Sequence, residues 1–330
     1  VILHPAVLAV LAASFAALAA VATSSGVAVA VLRRWDLASG AQAQLRLERR
    51  TYLASTALRW ACALQLGSLF LFVHTADAMA PLFSGAMCAA GTLQANRWGY
   101  LALAAKVAGF VAAGVWLVVN HVDEQAHDHP LVRYKYRLVL LLLPLFALDA
   151  GLVLAYFRGL EPEVITTCCG SLFGRKGQGL AADLAGLPAG PTAGVAGLLG
   201  LATVAAAAVL RRTGQGAFAL SVLGAAAAPA GIAAVVAFVS PFVYELPHHH
   251  CPFCMLKADF GHVGYAVYAM LLAAAVAALA AGAVARHRGV PSLASALPRA
   301  QRGLALTVIA GMGGFLAVAT WSVLASRLRP

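Results

Sequence analysis

Long apolar runs separated by short, basic loops set the pattern of this chain. Eight runs read as helices: roughly 6–32, 52–80, 99–120, 137–157, 192–210, 217–243, 260–285 and 304–326. A helix needs about 20 mostly apolar residues to cross a bilayer core, and each run supplies about that many. The runs are too long for transmembrane strands and lack their alternation. They are apolar on nearly every face, which a soluble bundle does not tolerate. The pattern predicts an all-α polytopic membrane helix bundle of about eight transmembrane helices. Short loops between most spans predict antiparallel neighbours and a single integral membrane domain over 1–330. The longest external loop, 159–191, contains GRKGQG and LPAGP and divides the chain into two four-helix halves, about 1–158 and 192–330.

Composition agrees with the pattern. Hydrophobic residues make up 62% of the chain and charged residues 11%, where soluble domains carry about 25% charged residues. The mean hydropathy is +0.85. A net charge of +11 raises the question of nucleic acid, but no basic helix or aromatic-interleaved patch accompanies it. The expected partner is the lipid bilayer, and nucleic acid is excluded. The basic residues instead report orientation. The first, third, fifth and seventh loops carry most of them, among them Arg33, Arg34, Arg46, Arg49, Arg50, Arg133, Lys135, Arg211, Arg286 and Arg299. By the positive-inside rule these loops are cytoplasmic. Both termini are then outside, which in a bacterial inner membrane means the periplasm. The first span has its basic residues after the apolar run and none before it, so it reads as a retained helix and not a cleaved signal. No P-loop, GxSxG, HExxH or dinucleotide fingerprint occurs, which argues against ATP-driven transport and hydrolase chemistry in this chain.

The cysteines gather on one side. Cys62 lies within the second span and reads as a small buried apolar residue. The other five are Cys88 in FSGAMCAAG, Cys168 and Cys169 in TTCCGS, and Cys251 and Cys254 in HHHCPFCML. All five fall in the three external loops, although orientation was assigned from Lys and Arg alone. Structural disulfides suit an oxidising compartment, but an odd number leaves at least one thiol over or calls for another from a partner. Adjacent Cys168 and Cys169 have Cα atoms about 3.8 Å apart, short of the roughly 5.5–6 Å that disulfides prefer, so each reaches another loop more easily. Sulfurs from at least two external loops are expected to meet in one site.

Three uses of that site stay open. The first is thiol–disulfide exchange. If the seventh span begins slightly early, CPFC sits at its N-terminus, where the helix dipole and His250 favour a Cys251 thiolate. Pro252 suits a first helical turn, and Cys254 would be the resolving thiol. The second is soft-metal binding. His248, His249, His250, Cys251, Cys254 and Met255 form a dense ligand set suited to copper or zinc, with Met87, Cys88, Cys168 and Cys169 able to add to the shell. The third is a structural or quinone-binding subunit of a larger respiratory-type complex, braced by disulfides.

A Cys-x-x-Cys pair at the outer end of a membrane helix, with further cysteines in outer loops, resembles the membrane thiol oxidoreductases of the DsbB and vitamin K epoxide reductase type. The resemblance implies that Cys251 and Cys254 are a quinone-proximal pair. It makes Cys88, Cys168 and Cys169 shuttle candidates and implies a periplasmic thiol protein as partner.

Ionisable residues within spans are costly and are candidates for function. Lys106 and Asp149 lie in the third and fourth spans, where an ion pair between them is sterically plausible. His74 and Asp77 end the second span; His262 and Tyr265 open the seventh. His74, Lys106, Asp149, His262 and Tyr265 are candidates for a quinone-head pocket or proton path, the alternative being charges that fix helix packing. His74 with His262 is the candidate axial haem pair, but two interfacial histidines without further signals argue against haem. Arg59 is expected to snorkel inward. The HVDEQAHDHP stretch, 121–130, reads as a solvated loop.

Overall fold

The computed structural model describes residues 2–36, 39–161 and 180–328. It is an all-α multi-pass membrane bundle, with eight helices long and apolar enough to cross a membrane. These are α1 Pro5–Arg34, α2 Gln42–Ala78, α3 Gly99–Glu124, α4 Val132–Arg158, α5 Ala189–Thr213, α6 Ala217–Tyr244, α7 Val263–Ala285 and α8 Ala296–Ala325. Among the described residues there is no strand. Each expected span overlaps one helix. The largest difference is at α2, which begins at Gln42 because QAQLRLERR is rich in good helix formers even though it is too polar for lipid. In the opposite sense, α7 begins only at Val263. Gly261 and His262 take left-handed φ values of 62° and 55° and break the chain just before it.

The chain divides into two compact units. The first comprises Val1–Ala76, Ala95–Pro162 and Arg286–Leu297. Its core is formed by Leu58, Trp116, Tyr136, Leu142 and Phe146 from α2, α3 and α4, with Ala17, Val21 and Ala28 from α1. A polar cluster lies inside it. Lys106 Nζ donates to Ser14 Oγ at 2.8 Å, Ser68 Oγ at 3.0 Å and Asp149 Oδ2 at 2.9 Å. The three ammonium hydrogens therefore have acceptors on α1, α2 and α4, and both members of the ion pair are buried. The expected Lys106–Asp149 pair is present.

The HVDEQAHDHP stretch departs from a simple solvated loop. Asp123 is fully buried in the last turn of α3. It pairs with Lys135 Nζ at 2.7 Å and accepts from the Leu131 amide, also at 2.7 Å. His129 approaches it at 3.6 Å. This network ties the α3–α4 turn together. Arg59 pairs with Glu124 of the same stretch at 3.2 Å.

The second unit comprises Asp77–Gln94, Glu163–Ala285 and Pro298–Pro330. Its helices approach closely through small side chains. Ala207, Ala217, Ala277, Ala278, Ala281 and Ala305 surround Leu210, Leu220 and Val308. A Cβ at Gly311 would stand 2.6 Å from the Met270 carbonyl oxygen, so α8 can lie against α7 there only with glycine. Membrane helices pack in this way because lipid offers no hydrophobic gain for bulky interfaces. Large apolar side chains such as Leu198 and Phe218 stay exposed, as lipid-facing residues do.

Within α6, Val235–Val239 form a π turn. The Ser240 amide reaches back to the Val235 carbonyl. The next residue, Pro241, has no N–H to offer the Val236 carbonyl. His250 Nδ1 takes that place at 3.0 Å. A helix defect thereby anchors the loop that carries the cysteines.

Candidate thiol centre

Two loops of the second unit build the centre. Cys88 stands immediately before the short helix Ala89–Gln94, and its carbonyl accepts the Gly91 amide. Asp77, in the last turn of α2, accepts the Ala89 amide on Oδ1 at 2.9 Å and so fixes the backbone beside Cys88. The other loop, residues 245–262, leaves α6 at Glu245, whose φ of 55° ends the helix. Tyr244, the last residue of α6, donates its hydroxyl to the Cys251 carbonyl at 2.5 Å and accepts the Met255 amide at 2.8 Å. Tyr268 on α7 donates to the Pro252 carbonyl at 2.8 Å. Two tyrosines thus hold the Cys-x-x-Cys turn from two helices. Lys257 Nζ donates to the Met87 carbonyl and bridges the two loops.

The sulfurs of Cys88, Cys251 and Cys254 all lie within 4.8 Å of one another. Cys88 Sγ and Cys251 Sγ are 3.5 Å apart. All three side chains are buried. Three sulfurs so placed can share one soft ion, or two of them can close a disulfide after a small approach, since an S–S bond is about 2.05 Å.

The expected convergence of Cys88 with the Cys-x-x-Cys pair is therefore present. Cys168 and Cys169 lie outside the described residues. Cys62 is buried in the first unit, away from these loops in sequence and within α2. His248 is exposed. His249 packs its ring edge-on against Tyr244 at 4.7 Å. Burial lowers the pKa of His249, opposed by the nearby Cys88 sulfur. His250 is occupied with Val236 on Nδ1. None of the three histidines places a ring nitrogen within 4.8 Å of all three sulfurs. Met255 is buried with its side chain against Gly264.

One expectation is corrected. CPFC does not begin a membrane helix. Cys254 opens a three-residue 3₁₀ turn, Cys254–Leu256, and α7 starts at Val263. The dipole of α7 is thus not aimed at Cys251, and Pro252 sits in a turn and not in a first helical turn. Of the other candidates, His262 is held by its Nδ1 against the Leu256 carbonyl at 2.6 Å. Tyr265 follows it in the first turn of α7, ring centroids 6.1 Å apart. His74 is exposed on α2, and it belongs with Lys106 and Asp149 to the first unit. The positioning role of Tyr244 was not read from the sequence. Its one signal is an aromatic hydroxyl at the span end from which the cysteine loop departs.

No family model, curated protein or solved structure matches this chain.

Proposed function

We propose that this multi-pass membrane protein binds and handles a soft metal ion, Cu(I) or Zn(II), at a buried centre formed by Cys88, Cys251 and Cys254. The observation that carries the reading is the approach of three thiols from two separate loops to within 4.8 Å of one another. Metal–sulfur bonds of about 2.3 Å put the sulfurs of one ion roughly 3.8–4.0 Å apart, and the Cys88–Cys251 distance of 3.5 Å is close to that. Thiolate ligands select copper and zinc over harder cations. The excess of Lys and Arg in the odd-numbered loops argues that the centre faces the periplasm of a bacterial inner membrane. The test is metal analysis of the full-length protein, purified without oxygen and offered Cu(I) or Zn(II). One ion per chain is expected, lost in Cys88→Ser, Cys251→Ser and Cys254→Ser and kept in Cys62→Ser. Absence of bound metal in the wild type after loading overturns the reading.

The place of Cys251 supports a second reading, thiol–disulfide exchange. Its sulfur is 3.5 Å from that of Cys88, and all three sulfurs lie within 4.8 Å of one another, so a disulfide can form in the cluster and exchange among its members. Oxidation of two thiols would deliver two electrons and two protons to a quinone, giving a quinol and a disulfide. Burial of all three sulfurs favours the metal reading, because a soluble periplasmic thiol protein has to reach its target sulfur. So does the missing helix dipole at Cys251.

A further inference from the structure

We propose that the first unit carries a binding site for an anionic phospholipid between the end of α1 and the start of α2. The site has a charged part and an apolar part. Arg34, Arg46 and Arg50 line a cavity of about 510 Å³, together with Asp36, Ser39 and Gln44. Arg46 and Arg50 are four residues apart on α2 and so lie on one helix face. Three arginines outweigh Asp36 in the wall and Glu48, which Gln44 holds at 2.9 Å, and leave the cradle positive. The C-terminal end of α1 and the N-terminal end of α2 both border it, so their dipoles oppose each other and the side chains decide the sign. Guanidinium groups bind phosphate oxygens in bidentate fashion.

A second cavity of about 640 Å³ shares Ala30, Leu47 and Arg50 with the first and continues along the two helices past Val27, Leu53 and Ala57. Its wall includes Gly26, where a Cβ would meet nothing within 4 Å. A basic head cradle thus runs into an open, mostly apolar groove along the span, with Thr23 and Ser24 as its other polar members. An inorganic anion would use only the first part, and a neutral acyl chain only the second. A molecule with an anionic head and a hydrocarbon tail uses both. The depth fits as well. α2 has 37 residues, about 55 Å of helix, so its first turns stand beyond a hydrocarbon core of about 30 Å. Arg50 marks the point where α2 turns from charged to apolar. The basic loop that holds the cradle is the one assigned to the cytoplasmic side, where anionic headgroups attract clustered Lys and Arg.

The experiment uses the full-length chain in a neutral detergent and counts retained lipid by native mass spectrometry. The probes are dioleoylphosphatidylglycerol, dioleoylphosphatidylcholine and inorganic phosphate. The wild type is expected to retain the anionic lipid about tenfold better than the zwitterionic one, with millimolar phosphate failing to displace it. Arg46→Gln with Arg50→Gln should erase the preference. Gly26→Leu, whose Cβ meets nothing within 4 Å, should reduce retention of both lipids while helicity and monodispersity stay unchanged. Equal retention of the two lipids by the wild type overturns the proposal, as does an undiminished preference in the double arginine variant. Displacement by phosphate assigns the cradle to a free anion and overturns the lipid. If the arginine variant fails to fold, undiminished lipid retention by Gly26→Leu still overturns it.

Discussion

The hydroxyl of Tyr244 lies 2.5 Å from the carbonyl oxygen of Cys251 and donates to it, while accepting the Met255 amide from the far side of the same turn. One side chain at the end of α6 therefore fixes both flanks of the Cys-x-x-Cys segment. Tyr244→Phe keeps the ring, and with it the packing on His249 and Phe260. It removes the hydroxyl and leaves a buried amide without its acceptor, a loss of about 1–3 kcal/mol. Outer partners that orient metal ligands typically contribute 10- to 100-fold in affinity. Tyr244→Phe is expected to weaken Cu(I) binding by about tenfold with stoichiometry unchanged, measured by competition against a chromogenic chelator. Unaltered affinity would show that the turn holds its geometry without the hydroxyl.

The two readings of the centre part over what a single Cys→Ser variant loses. A shared ion needs all three sulfurs, so each single Cys→Ser variant should lose metal alike. Exchange needs only two sulfurs at a time, and three pairings are open to the cluster. After mild oxidation each single variant should still bridge its remaining pair, Cys88–Cys251 in Cys254→Ser, Cys251–Cys254 in Cys88→Ser and Cys88–Cys254 in Cys251→Ser, because all three sulfurs lie within 4.8 Å of one another. Peptide mapping under non-reducing conditions reads these bridges directly. Similar metal loss in all three variants, with no bridge in the metal-loaded wild type, supports the metal centre. Turnover of the bridges with a quinone, with no metal bound, moves the function to exchange.

Hydropathy made the spans legible because a transmembrane helix must satisfy its backbone internally and face lipid, which constrains nearly every residue. The meeting of Cys88 with Cys251 was legible from charge bias plus residue type, since loops on one side are confined to one surface. The mode of support was not. Nothing in HHHCPFCML says that Cys254 will open a 3₁₀ turn, because the left-handed pair Gly261 and His262 that delays α7 lies beyond the motif. Nor does local sequence reveal that His250 serves the Val236 carbonyl, a need created by Pro241 on another element. A dense run of histidines suggests ligands, whereas two of these three rings have other partners. Asp123 was misread for a similar reason: its burial depends on Lys135, beyond the stretch that contains it.

The Asp123 network makes stability depend on pH. His129 adopts a left-handed φ of 44°, and its pKa is raised, chiefly by the Asp123 carboxylate 3.6 Å away and against partial burial. A histidine whose folded pKa lies above its unfolded value stabilises fully below the unfolded value, near 6.5. That contribution is lost as pH rises through the folded value. The wild-type unfolding temperature should therefore fall as pH rises through neutrality. His129→Asn tolerates the left-handed backbone but does not titrate, so the same interval should be flatter in that variant. Identical profiles would place the pH dependence elsewhere.

Lys106 and Asp149 give the sharpest test of packing against function. The ammonium has three acceptors on three helices, an arrangement that fixes helix positions by itself. Asp149 Oδ1 has no hydrogen-bond partner, an atom that a quinone-head pocket or proton path would employ. Lys106→Met strands a buried carboxylate and should cost about 3–5 kcal/mol, whereas Lys106→Met with Asp149→Leu removes both charges and should recover most of that loss. Unfolding in mixed micelles with a denaturing detergent measures both. The double variant then separates the roles, because it keeps a packed interior without any ionisable group. If it unfolds like the wild type and retains metal at the thiol centre, the pair serves to position α1, α2, α3 and α4. If it is stable yet loses a quinone that the wild type carries through purification, the pair belongs to a binding site, and exchange at Cys251 regains the advantage over a metal centre.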